Sequence, residues 1–233
     1  MNINEAKVIV TGATGGIGYE TAKALRSLGA EVVICGRDTE KVIKAADELN
    51  VYGIVADVSN ETEIANLFSF AMQKMGAVSV LINNAGIGRF ASLTDTTEED
   101  FQQAWETNVK GLFLAGKEAA KHFIAQKHGN IINIGSTASL RGYANGSAYV
   151  ASKFAVSGLT ECWRAELRPH NIRVMQINPS EVITDFIAKA GMEVQNEERK
   201  LKASDVAHVV VTMLGMNDVG FIPDASVWAT NPW

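Results

Sequence analysis

Tyr149 and Lys153 stand four residues apart in Tyr149-Val150-Ala151-Ser152-Lys153. On a helix that spacing puts both side chains on one face, aimed at the same ligand. A phenol beside an ammonium suits proton transfer. Free tyrosine titrates near ~10, too high for efficient acid–base work at neutral pH, and a nearby cation favours the phenolate and lowers that value. Ser136, thirteen residues upstream in Ile134-Gly135-Ser136, can hydrogen-bond a substrate oxygen on which charge develops. The chemistry this kit predicts is reduction of a ketone or aldehyde. A nicotinamide gives hydride to carbon, and Tyr149 gives a proton to oxygen. Singly, Tyr149 reads as a half-buried helix aromatic and Lys153 as a solvated charge. Tyr143 has no lysine four residues on, and Ser139 is only ten residues before Tyr149. Both are expected to line a pocket at most.

A nicotinamide needs a phosphate site. Val8-Ile9-Val10-Thr11 runs into Gly12-Ala13-Thr14-Gly15-Gly16-Ile17-Gly18. Glycine permits positive φ and close backbone approach. The free N–H groups and positive dipole of the following helix then meet an anion. This turn ends the first strand and opens the first helix, the context that makes it a dinucleotide site rather than a plain glycine-rich turn. Gly12, Thr14, Gly15, Gly16, Ile17 and Gly18 are the expected cofactor contacts.

After the second strand the chain reads Cys35-Gly36-Arg37-Asp38. An NAD enzyme commonly places a carboxylate there for the ribose hydroxyls. Gly36 offers none, and the Arg37 guanidinium can hold a 2′-phosphate. NADP(H) is therefore the expected cofactor, with NAD(H) as the alternative. Asn83-Asn84-Ala85-Gly86 ends the fourth strand. Its amides can lock strand ends together and border the adenosine, so Asn83, Ala85 and Gly86 join the cofactor set.

Short apolar runs alternate with helical stretches. Lys7–Val10, Val32–Cys35, Tyr52–Val55, Val78–Ile82, Asn130–Ile134 and Ile172–Ile177 are predicted strands, with Phe221–Ile222 as a last one. Helices are predicted over Ile17–Leu28, Thr39–Leu49, Glu61–Met75, Glu98–Gln126, Ala148–Leu167 and Ser204–Leu214. Runs β-branched on both faces fit buried parallel strands, and the alternation predicts a doubly wound parallel sheet. Such sheets bind ligands at the carboxyl ends of their strands, where the glycine turn and Ser136 fall.

Composition excludes other classes. The net charge is −5, and neither end carries a basic run, so nucleic acid and anionic membrane are poor partners. Cys35 and Cys162 are the two cysteines, too few for a disulfide framework. The four histidines are scattered, and no metal is expected. The polar start at Asn2, Asn4 and Glu5 enters a strand rather than a signal peptide. No apolar stretch approaches the ~20 residues of a membrane span. A cytoplasmic protein is expected.

The pattern Thr-Gly-x-x-x-Gly-x-Gly at Thr11–Gly18, the Asn83–Gly86 motif, and Ser136, Tyr149 and Lys153 in this order resemble the short-chain dehydrogenase/reductase family, from Val8 to about Thr184. The resemblance implies a single Rossmann-type domain over residues 1–233, an α/β sheet of about seven strands with helices on both faces. It adds Asn108, in Thr107-Asn108-Val109, as a fourth catalytic residue that holds a water linking Lys153 to solvent. It gives Lys153 a second role on the nicotinamide ribose. It places Asp57 and Val58 at the adenine, and Pro179, Val182 and Thr184 at the nicotinamide carboxamide. It makes residues 185–202 a substrate lid and the protein a homodimer or homotetramer, with the Trp-bearing tail packed at a subunit contact. The implied activity is NADPH-dependent reduction of a ketone or aldehyde, 3-oxoacyl thioesters among them. The alternatives are an NAD-dependent alcohol dehydrogenase and a cofactor-binding regulator without turnover. Ser180 and Glu181 depart from the family's Pro-Gly pattern.

Overall fold

In the computed structural model, residues 1–186, 190–191 and 196–232 are described. Seven strands form one parallel sheet: β1 (Lys7–Thr11), β2 (Glu31–Gly36), β3 (Tyr52–Val55), β4 (Val80–Asn83), β5 (Gly129–Ile134), β6 (Ile172–Pro179) and β9 (Asp224–Val227). Their order is β3-β2-β1-β4-β5-β6-β9. Strand order reverses between β1 and β4, so the loops leaving these two strands part and open a crevice. That is where the sequence puts the glycine turn and Asn83–Gly86.

Alternation along the strands builds two cores. Val8, Val10, Val32, Ile34, Ile132 and Ile134 face one side, with α1 (Gly16–Ser27), α2 (Thr39–Leu49) and α7 (Ala203–Gly215). Ile9, Val33, Leu81, Ile131 and Val174 face the other, with α3 (Glu61–Met75), α5 (Leu112–Gln126) and α6 (Ser147–Leu167). Each side buries β-branched side chains on the pleat and removes their apolar area from water, the main stabilising contribution of such a sheet.

Four details differ from expectation. The last strand is Asp224–Val227, not Phe221–Ile222, because the Gln176 amide takes the Pro223 carbonyl at 2.9 Å and starts the pairing there. The expected helix 98–126 is α4 (Glu98–Trp105) and α5 joined by a π-helical turn, Glu106–Gly111. The segment after β6 carries a two-stranded parallel pair, β7 (Val182–Ile183) with β8 (Leu201–Lys202). Trp228 does not pack within its own chain: it is 52% exposed, with the Arg141 guanidinium 5.3 Å above its ring. Trp233 and residues 187–189 and 192–195 of the expected lid lie outside the described residues. No described helix is long and apolar enough to cross a membrane.

Candidate active site

The glycine turn is shaped by what lies against it. Gly12 has φ +63°, and a Cβ there would sit 2.7 Å from the Ala85 Cα. Gly16 has φ +57°, with the Thr184 methyl 3.1 Å from its Cβ position. Side chains rarely adopt such φ, so both positions require glycine twice over. Gly18 leaves room for the Asn84 amide, which donates to the Thr11 and Gly12 carbonyls, both at 3.0 Å. The Thr11 hydroxyl accepts from the Asn84 and Ala85 amides, each at 3.1 Å. The turn, the end of β4 and Thr184 are thereby one unit. Gly15 is open to space and precedes α1, whose N-terminus no side chain caps. A backbone cradle with free amides fits a pyrophosphate.

At the end of β2, a Cβ on Gly36 would stand 2.7 Å from the Thr14 methyl. A side chain at this position would have to shift Thr14, and the glycine offers no carboxylate. Arg37 is exposed, and Asp38 is committed to capping α2 through the Lys41 amide at 3.1 Å. Asp57 accepts from both the amide and the hydroxyl of Ser59, at 2.9 and 2.8 Å. Val58 is buried against Gly111 of the π turn. Asn83 donates to Asn133 at 2.9 Å, and Asn133 to Thr160 at 2.8 Å, which cross-braces β4, β5 and α6. Pro179 closes β6 and Val182 is buried in β7.

The predicted catalytic residues meet across three elements. Tyr149 and Lys153 share one face of α6, with the ammonium 5.8 Å from the phenol ring centroid. Ser136 stands two residues past the end of β5, where it caps the Thr137–Ser139 turn and lies close enough to Tyr149 to favour its phenolate. Ser139 is not pocket lining: buried, its hydroxyl accepts from the Ser136 amide at 3.2 Å and holds the turn. The π turn carries Asn108 inward. Its side chain accepts from the Ile87 amide at 2.8 Å and donates to the Ile87 carbonyl at 3.0 Å and the Ser152 hydroxyl at 2.9 Å. Ser152 in turn donates to the Tyr149 carbonyl at 2.7 Å. Gly86 lies beside both Asn108 and Lys153.

Electrostatics depart from expectation. Burial pushes the Tyr149 phenol up, and the Ser136 hydrogen bond only partly offsets this. Lys153 is not among the groups that shift it here; its expected downward pull is shared with the positive charge of an oxidised nicotinamide. Burial also pushes Lys153 itself down to about 8, while its ammonium donates to the Ile134 carbonyl at 2.9 Å. In this state the phenol is neutral, as a proton donor must be.

Sequence reasoning missed Phe90 and Phe186. Their rings lie 5.2 and 5.7 Å from the Tyr149 ring, tilted 58° and 56°. Nothing in the spacing of Gly88-Arg89-Phe90 or Thr184-Asp185-Phe186 announces a meeting made by tertiary folding.

The family model for short chain dehydrogenases matches residues 6–195. The chain belongs to the short-chain dehydrogenase family. Its members in comparison span several activities. The 3alpha-hydroxysteroid dehydrogenase of Mediterraneibacter gnavus is 34% identical over 195 residues, 81% of this chain and 78% of that one. The alcohol dehydrogenase of Thermococcus sibiricus complexed with 5-hydroxy-NADP has a TM-score of 0.88 at 25% identity, covering 96% of each chain. The 3-ketoacyl-(acyl-carrier-protein) reductase of Brucella melitensis complexed with NADH has a TM-score of 0.89 at 27% identity, covering 97% of this chain and 98% of that one. As a short-chain dehydrogenase, the protein is an NAD(P)-dependent oxidoreductase of alcohol and carbonyl groups.

Proposed function

We propose that the protein is an NADPH-dependent reductase of ketones or aldehydes. The observation that carries this is the buried Tyr149, on one face of α6 with Lys153 four residues on and with Ser136 beside its phenol. Bound at the β1–β4 crevice, the reduced nicotinamide supplies hydride for the carbonyl carbon. Tyr149 delivers its hydroxyl proton to the carbonyl oxygen. Ser136 donates a hydrogen bond to the same oxygen as charge develops. Lys153, still mostly protonated at pH 7, stabilises the phenolate that remains. Asn108 fixes the backbone at Ile87 and, through Ser152, the turn of α6 that carries Tyr149. The reductase reading is tested by following NADPH consumption on a panel of ketones, aldehydes and acyl thioesters. No consumption with any of them counts against it.

The 2′-phosphate is assigned to Arg37. Gly36 supplies no carboxylate to repel a 2′-phosphate, and neutralising a phosphate by guanidinium strengthens binding. The kcat/KM for NADPH is expected to exceed that for NADH by at least about tenfold, and Arg37→Ala to erase the difference. That factor equals ~1.4 kcal/mol, within the range of one charge-assisted hydrogen bond. Equal efficiencies in the wild type, or equal losses for both cofactors in the variant, argue against the assignment.

A homo-oligomer is also proposed. Phe101 and Trp105 of α4 stack at 6.5 Å, and with Phe113 of α5 and Phe154 of α6 they leave four large rings more than two-fifths exposed. Rings so placed on neighbouring helices mark an association face. Sedimentation at micromolar concentration is expected to give a dimer or tetramer, reduced to single chains by Trp105→Glu with Phe154→Glu. A wild type that sediments as a single chain goes against it.

A further inference from the structure

The substrate end of the site has a chemistry of its own. The Phe90 and Phe186 ring centroids lie 5.2 and 5.7 Å from that of the Tyr149 phenol. Gly88 lies under both: a Cβ there would stand 2.7 Å from Phe90 Cε2 and 3.0 Å from Phe186 Cζ. Beyond Phe90 is a cavity of about 110 Å³ lined by Gly88, Arg89, Phe90, Ala91, Thr96, Asp100 and Ala190. Its polar groups already have partners among the described residues. Arg89 holds Asp100 at 3.2 Å and Gln103 at 2.7 Å. The Thr96 hydroxyl donates to the Ser92 carbonyl at 2.8 Å, and Asp100 also accepts from the Thr97 hydroxyl at 2.8 Å. A substrate carboxylate would have to displace Asp100 from Arg89. Substrate hydroxyls would lose water against two phenyl rings without gaining partners, which is costly. An apolar ring meets neither cost and gains offset or edge contacts with both phenyls. At about 110 Å³ the cavity is smaller than the roughly 150 Å³ that takes one benzene, which limits an occupant to a single ring at most.

Resting on the reductase reading above, we propose that the site takes a small ketone whose carbonyl is borne by a single apolar ring, with Phe90 and Phe186 as the residues that select it. Polyhydroxylated and carboxylate-bearing carbonyl compounds are the class it discriminates against.

The test compares 4-methylcyclohexanone with dihydroxyacetone, NADPH being saturating. In the wild type, kcat/KM is expected to favour the ring ketone by at least about tenfold, since one methylene in an apolar pocket is already worth roughly 10–200-fold. Phe90→Ala and Phe186→Ala are expected to lower that ratio at least about tenfold, through KM for the ring ketone. Phe186→Leu is expected to retain part of it. Gly88→Ala, which pushes on both rings while leaving them in place, is expected to lower the ratio too. A wild type that reduces dihydroxyacetone as well as the ring ketone overturns the proposal alone, as do variants that lose both substrates equally. A wild type that reduces no carbonyl of any class overturns the reductase reading and the proposal with it.

Discussion

Tyr149→Phe is expected to lower kcat by at least ~10²-fold with NADPH affinity little changed, since a positioned general acid contributes about 10²–10⁴ in rate. The change removes one hydroxyl and keeps the ring that Phe90 and Phe186 pack against. Packing is therefore preserved, and the lost group is the proton donor alone. Equal falls in kcat and kcat/KM are the signature of an interaction made only in the transition state. Tyr143→Phe serves as the control. Tyr143 is 49% exposed, and its variant is expected to stay within several-fold of wild type. Near-normal turnover by Tyr149→Phe on a good substrate would remove the catalytic assignment and leave the glycine turn supporting cofactor binding only.

Lys153→Met is expected to abolish turnover, weaken NADPH binding and make the protein more stable at pH 7. Lys153 is only 6% exposed, and burial holds it at about 8 against an ordinary 10.5. At 1.36 kcal/mol per unit that is a penalty on the order of 3 kcal/mol. Losing the bond to the Ile134 carbonyl costs about 1–2 kcal/mol in return. The net gain is on the order of 1 kcal/mol, or about 2–4 °C in Tm for a chain of this size. The pH dependence follows from the sign of the shift. Below about 8 the lysine is protonated in both states, and the wild type carries the full penalty. Between that value and its ordinary one the unfolded chain holds a proton that the folded chain has released, so wild-type stability rises with pH. The advantage of Lys153→Met should therefore shrink from pH 8 towards pH 10. Above the ordinary value for tyrosine the raised Tyr149 acts oppositely, so the comparison stops there. A variant less stable than wild type at pH 7, or a gap constant across the scan, contradicts this account.

Much of this site was legible because its logic is local. Tyr149 and Lys153 are one helical turn apart, and Gly12, Gly16 and Gly18 sit in one strand-to-helix turn. Periodicity alone placed six of the sheet's strands to within a few residues. The seventh was misplaced because Phe221 and Ile222 are as apolar as a strand, yet Phe221 lies under the Arg168 guanidinium at 5.9 Å. The π turn left no trace in the sequence, since one extra residue per turn changes hydrogen bonding and not composition. Ser139 looked like a decoy hydroxyl; its work on the Ser136 amide depends on a turn of three residues that no pattern specifies. Phe90 and Phe186 come from segments nearly a hundred residues apart. Only the folded chain brings them to the same phenol.

The clasp made by β7 and β8 bears on how the protein can change over generations. Val182 pairs with Leu201 and Ile183 with Lys202, and Glu181 is ion-paired with Lys200. The two ends of the intervening segment are thus pinned together at the sheet's margin, whatever their separation along the chain. Doubling the length of a loop closed in this way costs only about 0.6 kcal/mol. Changes confined to residues 187–199 would leave Thr184 against Gly16 and Phe186 beside the phenol. On the proposal that Phe186 selects the substrate, substrate choice is then the trait most open to drift.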